Sequence, residues 1–128
     1  MRTLALAVLL VASCGGGSQD VAAPAVTALV VEVRDGSARP VDRLSLSCDR
    51  PGGSHPDPAR ACAGLARERQ PFAAPPPDAA CTQVYGGPQT ATVRGTYRGE
   101  PVTLHLSRAD GCRTAQWDRL GALLPVSA

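Results

Sequence analysis

Thr90-Ala91-Thr92-Val93-Arg94-Gly95-Thr96-Tyr97 and Val102-Thr103-Leu104-His105-Leu106-Ser107 lie on either side of Arg98-Gly99-Glu100. Both runs alternate with period two. Ala91, Val93 and Tyr97 share one face of the first, and Val102, Leu104 and Leu106 share one face of the second. Strict alternation over this length predicts half-buried strands, and the short glycine-containing break predicts a hairpin turn at Arg98-Gly99-Glu100. A half-buried hairpin needs a layer to cover its apolar face, and the rest of the chain must supply it.

Upstream lies Ala80-Cys81-Thr82-Gln83-Val84-Tyr85-Gly86-Gly87-Pro88. The stretch is uncharged. Pro75-Pro76-Pro77 precedes it and Gly86-Gly87-Pro88 closes it, so both flanks predict loop. Cys81 can pin the segment to a distant part of the chain. A tethered, extended loop with a bulky centre is what a protease meets as a substrate. A connector held by a structural disulfide has the same pattern, and spacing alone leaves both readings open. Downstream, Asp110-Gly111 ends the second strand. Arg113 to Leu124 predicts a short helix with Trp117, Leu120 and Leu124 inward, stopped by Pro125.

Two more strands precede the loop. Ala25 to Arg34 is β-branched and apolar, with Leu29, Val31 and Val33 on one face, and Asp35-Gly36-Ser37 breaks it. Leu44-Ser45-Leu46-Ser47-Cys48 places Leu44, Leu46 and Cys48 inward. After the loop residues Asp49 to Pro56, Asp57-Pro58 predicts a helix start, with aspartate as N-cap and proline at the first helical position. Ala59, Cys62, Ala63 and Ala66 then form one apolar stripe, widened by Leu65, and the helix is expected to end near Gln70-Pro71. The fold class is α+β: an antiparallel sheet with helices, in one domain over residues 25–128, without internal repeats.

The chain has 128 residues, 44% of them hydrophobic but only 3% aromatic. A core of valine, leucine and alanine in one small domain is thin and calls for staples. Net charge is +2 and the arginines are scattered, so there is no footprint for nucleic acid.

Residues 1–13 have the form of an export signal: Met1-Arg2, then an apolar run from Leu4 to Ala12. Val11-Ala12-Ser13-Cys14 resembles a bacterial lipobox, which implies a lipid on Cys14 as first residue of the mature chain and attachment to a membrane. An ordinary signal cleaved elsewhere is the alternative. Residues 14–24 then form a tether, beginning Gly15-Gly16-Gly17-Ser18-Gln19-Asp20. Its root-mean-square reach is roughly 15–20 Å. The expected location is extracellular or the outer face of the cell membrane. Of five cysteines, Cys14 is the one left over. In an oxidising compartment Cys48, Cys62, Cys81 and Cys112 allow three pairings. One of these joins Cys48 to Cys62 across the Gly/Pro loop and Cys81 to Cys112.

Other chemistries find little support. There is no Cys-x-x-Cys, and His55 and His105 lack ligand spacing, so neither metal nor cofactor is expected. Each histidine is expected at the surface or in a hydrogen bond. Neither Gly-x-Ser-x-Gly nor His-Glu-x-x-His occurs, and no enzyme activity is expected.

The cysteine spacing, Gly53-Ser54-His55-Pro56 ahead of Ala61-Cys62-Ala63-Gly64-Leu65, Cys81-x-x-Val84-Tyr85 and the Thr92 to Gly99 hairpin together resemble the Streptomyces subtilisin inhibitor family. The resemblance covers about Ala25 to Cys112. It implies an antiparallel sheet with two helices packed on one face, disulfides Cys48–Cys62 and Cys81–Cys112, and commonly a homodimer. It implies a secreted inhibitor of subtilisin-like or trypsin-like serine proteases, and a neutral Gln83 at the specificity position favours the subtilisin-like type. The reactive loop would be Thr82, Gln83, Val84 and Tyr85, with the scissile bond Gln83–Val84 and Gln83 as specificity residue. Three features depart from the family. Gln83 stands where strong inhibitors carry Met, Lys or Arg. Gly86-Gly87-Pro88 replaces a shorter Asp-Pro exit. The chain after Cys112 is helical in pattern where the type member ends in a strand. A non-inhibitory binding or structural lipoprotein on the same scaffold is the alternative function.

Overall fold

The computed structural model describes residues 26–124. The leader, Cys14, the tether and Pro125 lie outside them. Four strands, β1 (Ala28–Arg34), β2 (Asp42–Ser47), β3 (Gly87–Tyr97) and β4 (Glu100–Arg108), form one antiparallel sheet in the order β2-β1-β3-β4. Helix α1 (Pro58–Arg67) follows β2, and α2 (Gly111–Arg119) follows β4.

The hairpin forms as its alternation requires. Val93 pairs with Leu104 and Ala91 with Leu106, so the apolar residues of both strands share one face. The turn is tighter than the sequence predicts. Tyr97 pairs with Glu100, leaving only Arg98-Gly99 between the strands. Their φ values are +49° and +83°, the pair of positive values that a type I′ turn requires, and this turn type matches the twist of the flanking strands. Glu100 therefore belongs to β4.

The inner face carries Leu29, Val31, Val33, Leu46, Ala91, Val93, Val102 and Leu106, all buried. Ala61 and Leu65 of α1, together with Trp117 of α2 and Leu120, Leu123 and Leu124 beyond it, complete the same core. Both helices thus cover one face of the sheet, as expected for the α+β class. The Tyr97 hydroxyl donates to the Leu65 carbonyl at 3.3 Å, tying hairpin to helix, and its ring meets Phe72 edge-on at 5.2 Å.

Helix α1 corrects the expected stripe. Asp57 caps it, accepting from the Arg60 N–H at 3.1 Å, but Ala59, Ala63 and Ala66 are exposed. Ala61 and Leu65 are buried, with Cys62 partly so. Alanines on every side give a helix little directional preference. The single leucine and the bridge from Cys62 to Cys48 set its rotation instead. The helix ends at Arg67, short of Gln70.

Helix α2 begins earlier than expected, because Asp110 is its N-cap rather than a strand terminator. The Asp110 carboxylate accepts from the Arg113 N–H at 2.9 Å. Regular helix stops at Arg119, and Gly121, a poor helix former, follows. Leu123 N–H donates to the Leu120 carbonyl at 2.8 Å in a final turn that keeps all three leucines buried.

His55 is buried, at 5% exposure. Its Nδ1 accepts from the Asp57 N–H at 3.0 Å, which leaves Nε2–H to donate to the Leu123 carbonyl at 3.2 Å. The loop before α1 is thereby tied to the chain beyond α2. His105 is exposed beside Thr92.

Candidate functional site: a clamped extended loop

Residues 79–86 form no helix or strand, and Thr82, Gln83, Val84 and Tyr85 are all exposed. Val84 and Tyr85 are 67% and 65% exposed. Side chains this open take no part in the core. The sequence stretch flanked by prolines and glycines is therefore an outward loop, and each end of it is held.

The upstream end is held covalently. Cys81 is bonded to Cys112 in the first turn of α2, with Cα atoms 5.3 Å apart. One residue on, the Thr82 carbonyl accepts from the Gly111 N–H at 2.9 Å. Gly111 opens α2, so its N–H is free of helical partners and points outward. A Cβ at Gly111 would collide with the Thr82 hydroxyl, and this close approach accounts for glycine there. The Asp110–Arg113 pair, 3.5 Å apart, steadies the same helix end.

At the downstream end, the Gly86 N–H donates to the Arg108 carbonyl at 2.7 Å, where β3 meets the end of β4. The lead-in is fastened too: buried Gln116 of α2 donates to the Ala73 carbonyl at 3.2 Å. The second disulfide, Cys48–Cys62, joins the end of β2 to α1, with Cα atoms 5.6 Å apart. All four cysteines of the described residues are paired as the resemblance implies.

The sequence reading placed Thr82, Gln83, Val84 and Tyr85 on one loop, and they are consecutive on its exposed crest. It did not pick out Gly111, Arg108 or Gln116, whose contacts depend on where α2 and β4 end relative to the loop. Of these only Gly111 was named in the sequence, with Asp110 as the end of the second strand, and the structure makes the pair the start of α2. Among the described residues, Asp110 lies within 4.8 Å of both Cys81 and Cys112 sulfurs. Both sulfurs are consumed in the disulfide, so the group offers no thiolate to a metal. No helix among the described residues is long and apolar enough to cross a membrane.

Fold and loop together define a small disulfide-stapled domain that displays a short peptide segment on a rigid frame. The family model described as subtilisin inhibitor-like matches residues 23–109. The chain belongs to this family. It is 38% identical over 96 residues to a subtilisin inhibitor of Streptomyces violaceus, covering 69% of this chain and 65% of that protein's length. It is 34% identical over 95 residues to subtilisin inhibitor-like protein 5 of Streptomyces fradiae, covering 69% of this chain and 88% of the other. Among solved structures, Streptomyces caespitosus sermetstatin, crystallised in complex with Bacillus licheniformis subtilisin, is similar at a TM-score of 0.47 and 28% identity. That match covers 76% of this chain and 94% of the other.

Proposed function

We propose that this protein inhibits a secreted serine protease by offering Thr82-Gln83-Val84-Tyr85 as a substrate-like segment, with Gln83–Val84 as the bond presented. One observation carries the reading. The exposed crest lies between two backbone clamps, Thr82 carbonyl to Gly111 and Gly86 N–H to Arg108, with a disulfide beside the first. The names of the Streptomyces relatives agree with it.

The chemistry follows from that placement. A serine protease attacks an extended carbonyl and stabilises the oxyanion that forms. Attack at Gln83 leaves the acyl half held by Thr82 and Cys81 and the amine half held by Gly86. The Val84 amine stays close to the acyl-enzyme at high effective concentration, and the bond re-forms more readily than product departs. The loop is already ordered, so little entropy is lost on binding. The chain itself contributes no catalytic group, and its role is that of an inhibitor rather than an enzyme.

Gln83 sets the target. A neutral amide entering an apolar pocket leaves hydrogen-bonding capacity unmet, and a pocket with a basal carboxylate gains no charge partner from it. Broad apolar pockets of subtilisin type tolerate it best. We also propose that Cys14 is lipidated and holds the domain at the outer face of a membrane. The two disulfides agree with an exported, oxidising setting. We propose the outer sheet face, where Val30, Glu32, Arg43, Thr92 and Arg94 line a groove, as the surface of a homodimer.

The test is inhibition constants of the wild type, Gln83→Lys and Gln83→Met against subtilisin-, trypsin- and chymotrypsin-type enzymes. The wild type is expected to favour the subtilisin type. Gln83→Lys is expected to gain at least tenfold against trypsin, about 1.4 kcal/mol. Folded variants whose constants do not move would remove Gln83 from the pocket and favour the non-inhibitory reading.

A further inference from the structure

Resting on that reading, we propose that Arg108, Gln89 and Thr114 are positioning residues for the amine half of the loop. Together they form the polar seat against which Gly86-Gly87 pack.

The glycine exit lies directly on this group. A Cβ added at Gly86 would lie 2.5 Å from the Thr114 hydroxyl and 3.2 Å from both the Cβ and the carbonyl oxygen of Arg108. A Cβ added at Gly87 would meet Gln89 Oε1 and lie 3.5 Å from Arg108 Nη1. The Arg108 side chain therefore runs from beneath Gly86 to beneath Gly87, and its Nη1 donates to Gln89 Oε1 at 3.3 Å. Gln89 reaches it through an irregularity in β3. Gly87 pairs with Arg108 but Thr90 pairs with Ser107, so Pro88 and Gln89 bulge out of the ladder. Bulges of this kind re-aim a side chain beside a functional segment. The two glycines thus permit close contact with a polar seat, which compensates for their own conformational freedom.

Two polar atoms of the seat, Arg108 Nε and Thr114 Oγ1, are buried without a protein partner among the described residues. Nε can only donate, whereas the hydroxyl both donates and accepts. Buried polar groups of native proteins are met by ordered water where no protein partner serves, and each of these two atoms is expected to hold one. After attack at Gln83, the leaving segment is Val84-Tyr85-Gly86. Its return to the acyl-enzyme depends on Gly86-Gly87 keeping their seat.

The experiment compares wild type, Thr114→Val, Thr114→Ser and Arg108→Lys in complex with subtilisin. It reads the short-time inhibition constant, the rate of cutting at Gln83–Val84 by mass spectrometry, and the melting temperature. Valine preserves shape and removes the hydroxyl. Serine keeps the hydroxyl. Lysine keeps the charge and removes Nε–H. Thr114→Val and Arg108→Lys are expected to be cut at least about tenfold faster, with short-time inhibition changed far less, and Thr114→Ser to behave as wild type. A high-resolution crystal structure should show an ordered water oxygen within hydrogen-bonding distance of each atom. Wild-type inhibition with Thr114→Val cut no faster overturns this inference alone, as does a Thr114→Ser that is cut as fast as Thr114→Val. A wild type that inhibits none of the proteases overturns the functional reading and this inference with it.

Discussion

Removing each disulfide in turn separates stability from function. In one variant Cys81 and Cys112 both become serine, and in another Cys48 and Cys62 do. The bridges span sequence separations of 31 and 14. Loop-closure entropy assigns them about 3.7 and about 3.0 kcal/mol at 25 °C, nearly the same amount. For a domain of this size either loss lowers the melting temperature by about 12–30 °C. Thermal melts should therefore rank the variants close together. Their behaviour toward subtilisin should diverge. Cys81 lies two residues before the Gln83–Val84 bond, and Cys112 anchors it at the start of α2, whereas Cys48–Cys62 joins β2 to α1. Without the first bridge the acyl half is held beside the bond by the Thr82–Gly111 hydrogen bond, worth about 1 kcal/mol, and farther upstream by the Gln116–Ala73 contact. That variant is expected to become a substrate, cut at Gln83–Val84 on the order of a hundredfold faster than wild type. The Cys48/Cys62 variant, assayed at a temperature where it is folded, is expected to remain an inhibitor. Cutting rates are read by mass spectrometry over a time course with catalytic amounts of protease. If both folded variants are cut at the same rate, or the Cys81/Cys112 variant resists as well as wild type, the clamp argument is wrong.

Three further predictions concern other parts of the chain. His55→Ala removes a buried link between the Asp57 N–H and the Leu123 carbonyl and should cost about 2–3 kcal/mol in urea unfolding; a loss under 0.5 kcal/mol would show that neither group depended on it. The Ser37 hydroxyl, and then the Ser37 N–H, hold the exposed Asp35 carboxyl below its ordinary value of 3.8, so its small contribution is present above that pH and lost as pH falls through the depressed value. An NMR titration should place its midpoint below 3.8 and Ser37→Ala should raise it, whereas an unmoved midpoint refutes the cause. Cys14→Ser should release the protein from membranes without changing the stability of the domain, and a variant that stays membrane-bound refutes lipid anchoring.

The sequence by itself determined the elements whose signals are local. Alternation at Ala91, Val93, Leu104 and Leu106 specified the hairpin and its buried face, because a strand's side chains alternate whatever lies beside it. The Asp57-Pro58 start of α1 was legible for a similar reason, since a cap acts on its own first turn. Cysteine spacing with Val84-Tyr85 carried the family resemblance and, through it, the disulfide pairing. The tertiary structure decided what depends on distant partners. It put β1 between β2 and β3, a choice that alternation within a strand cannot make. It rotated α1 onto Ala61 and Leu65, since alanines spread around a helix do not mark a face. It turned Asp110 into the cap of α2 and brought Gly111 and Arg108 against Thr82 and Gly86. Those clamps join residues more than twenty positions apart through backbone groups that every residue type carries. No side-chain pattern advertises them, and they exist only once the sheet and α2 are packed.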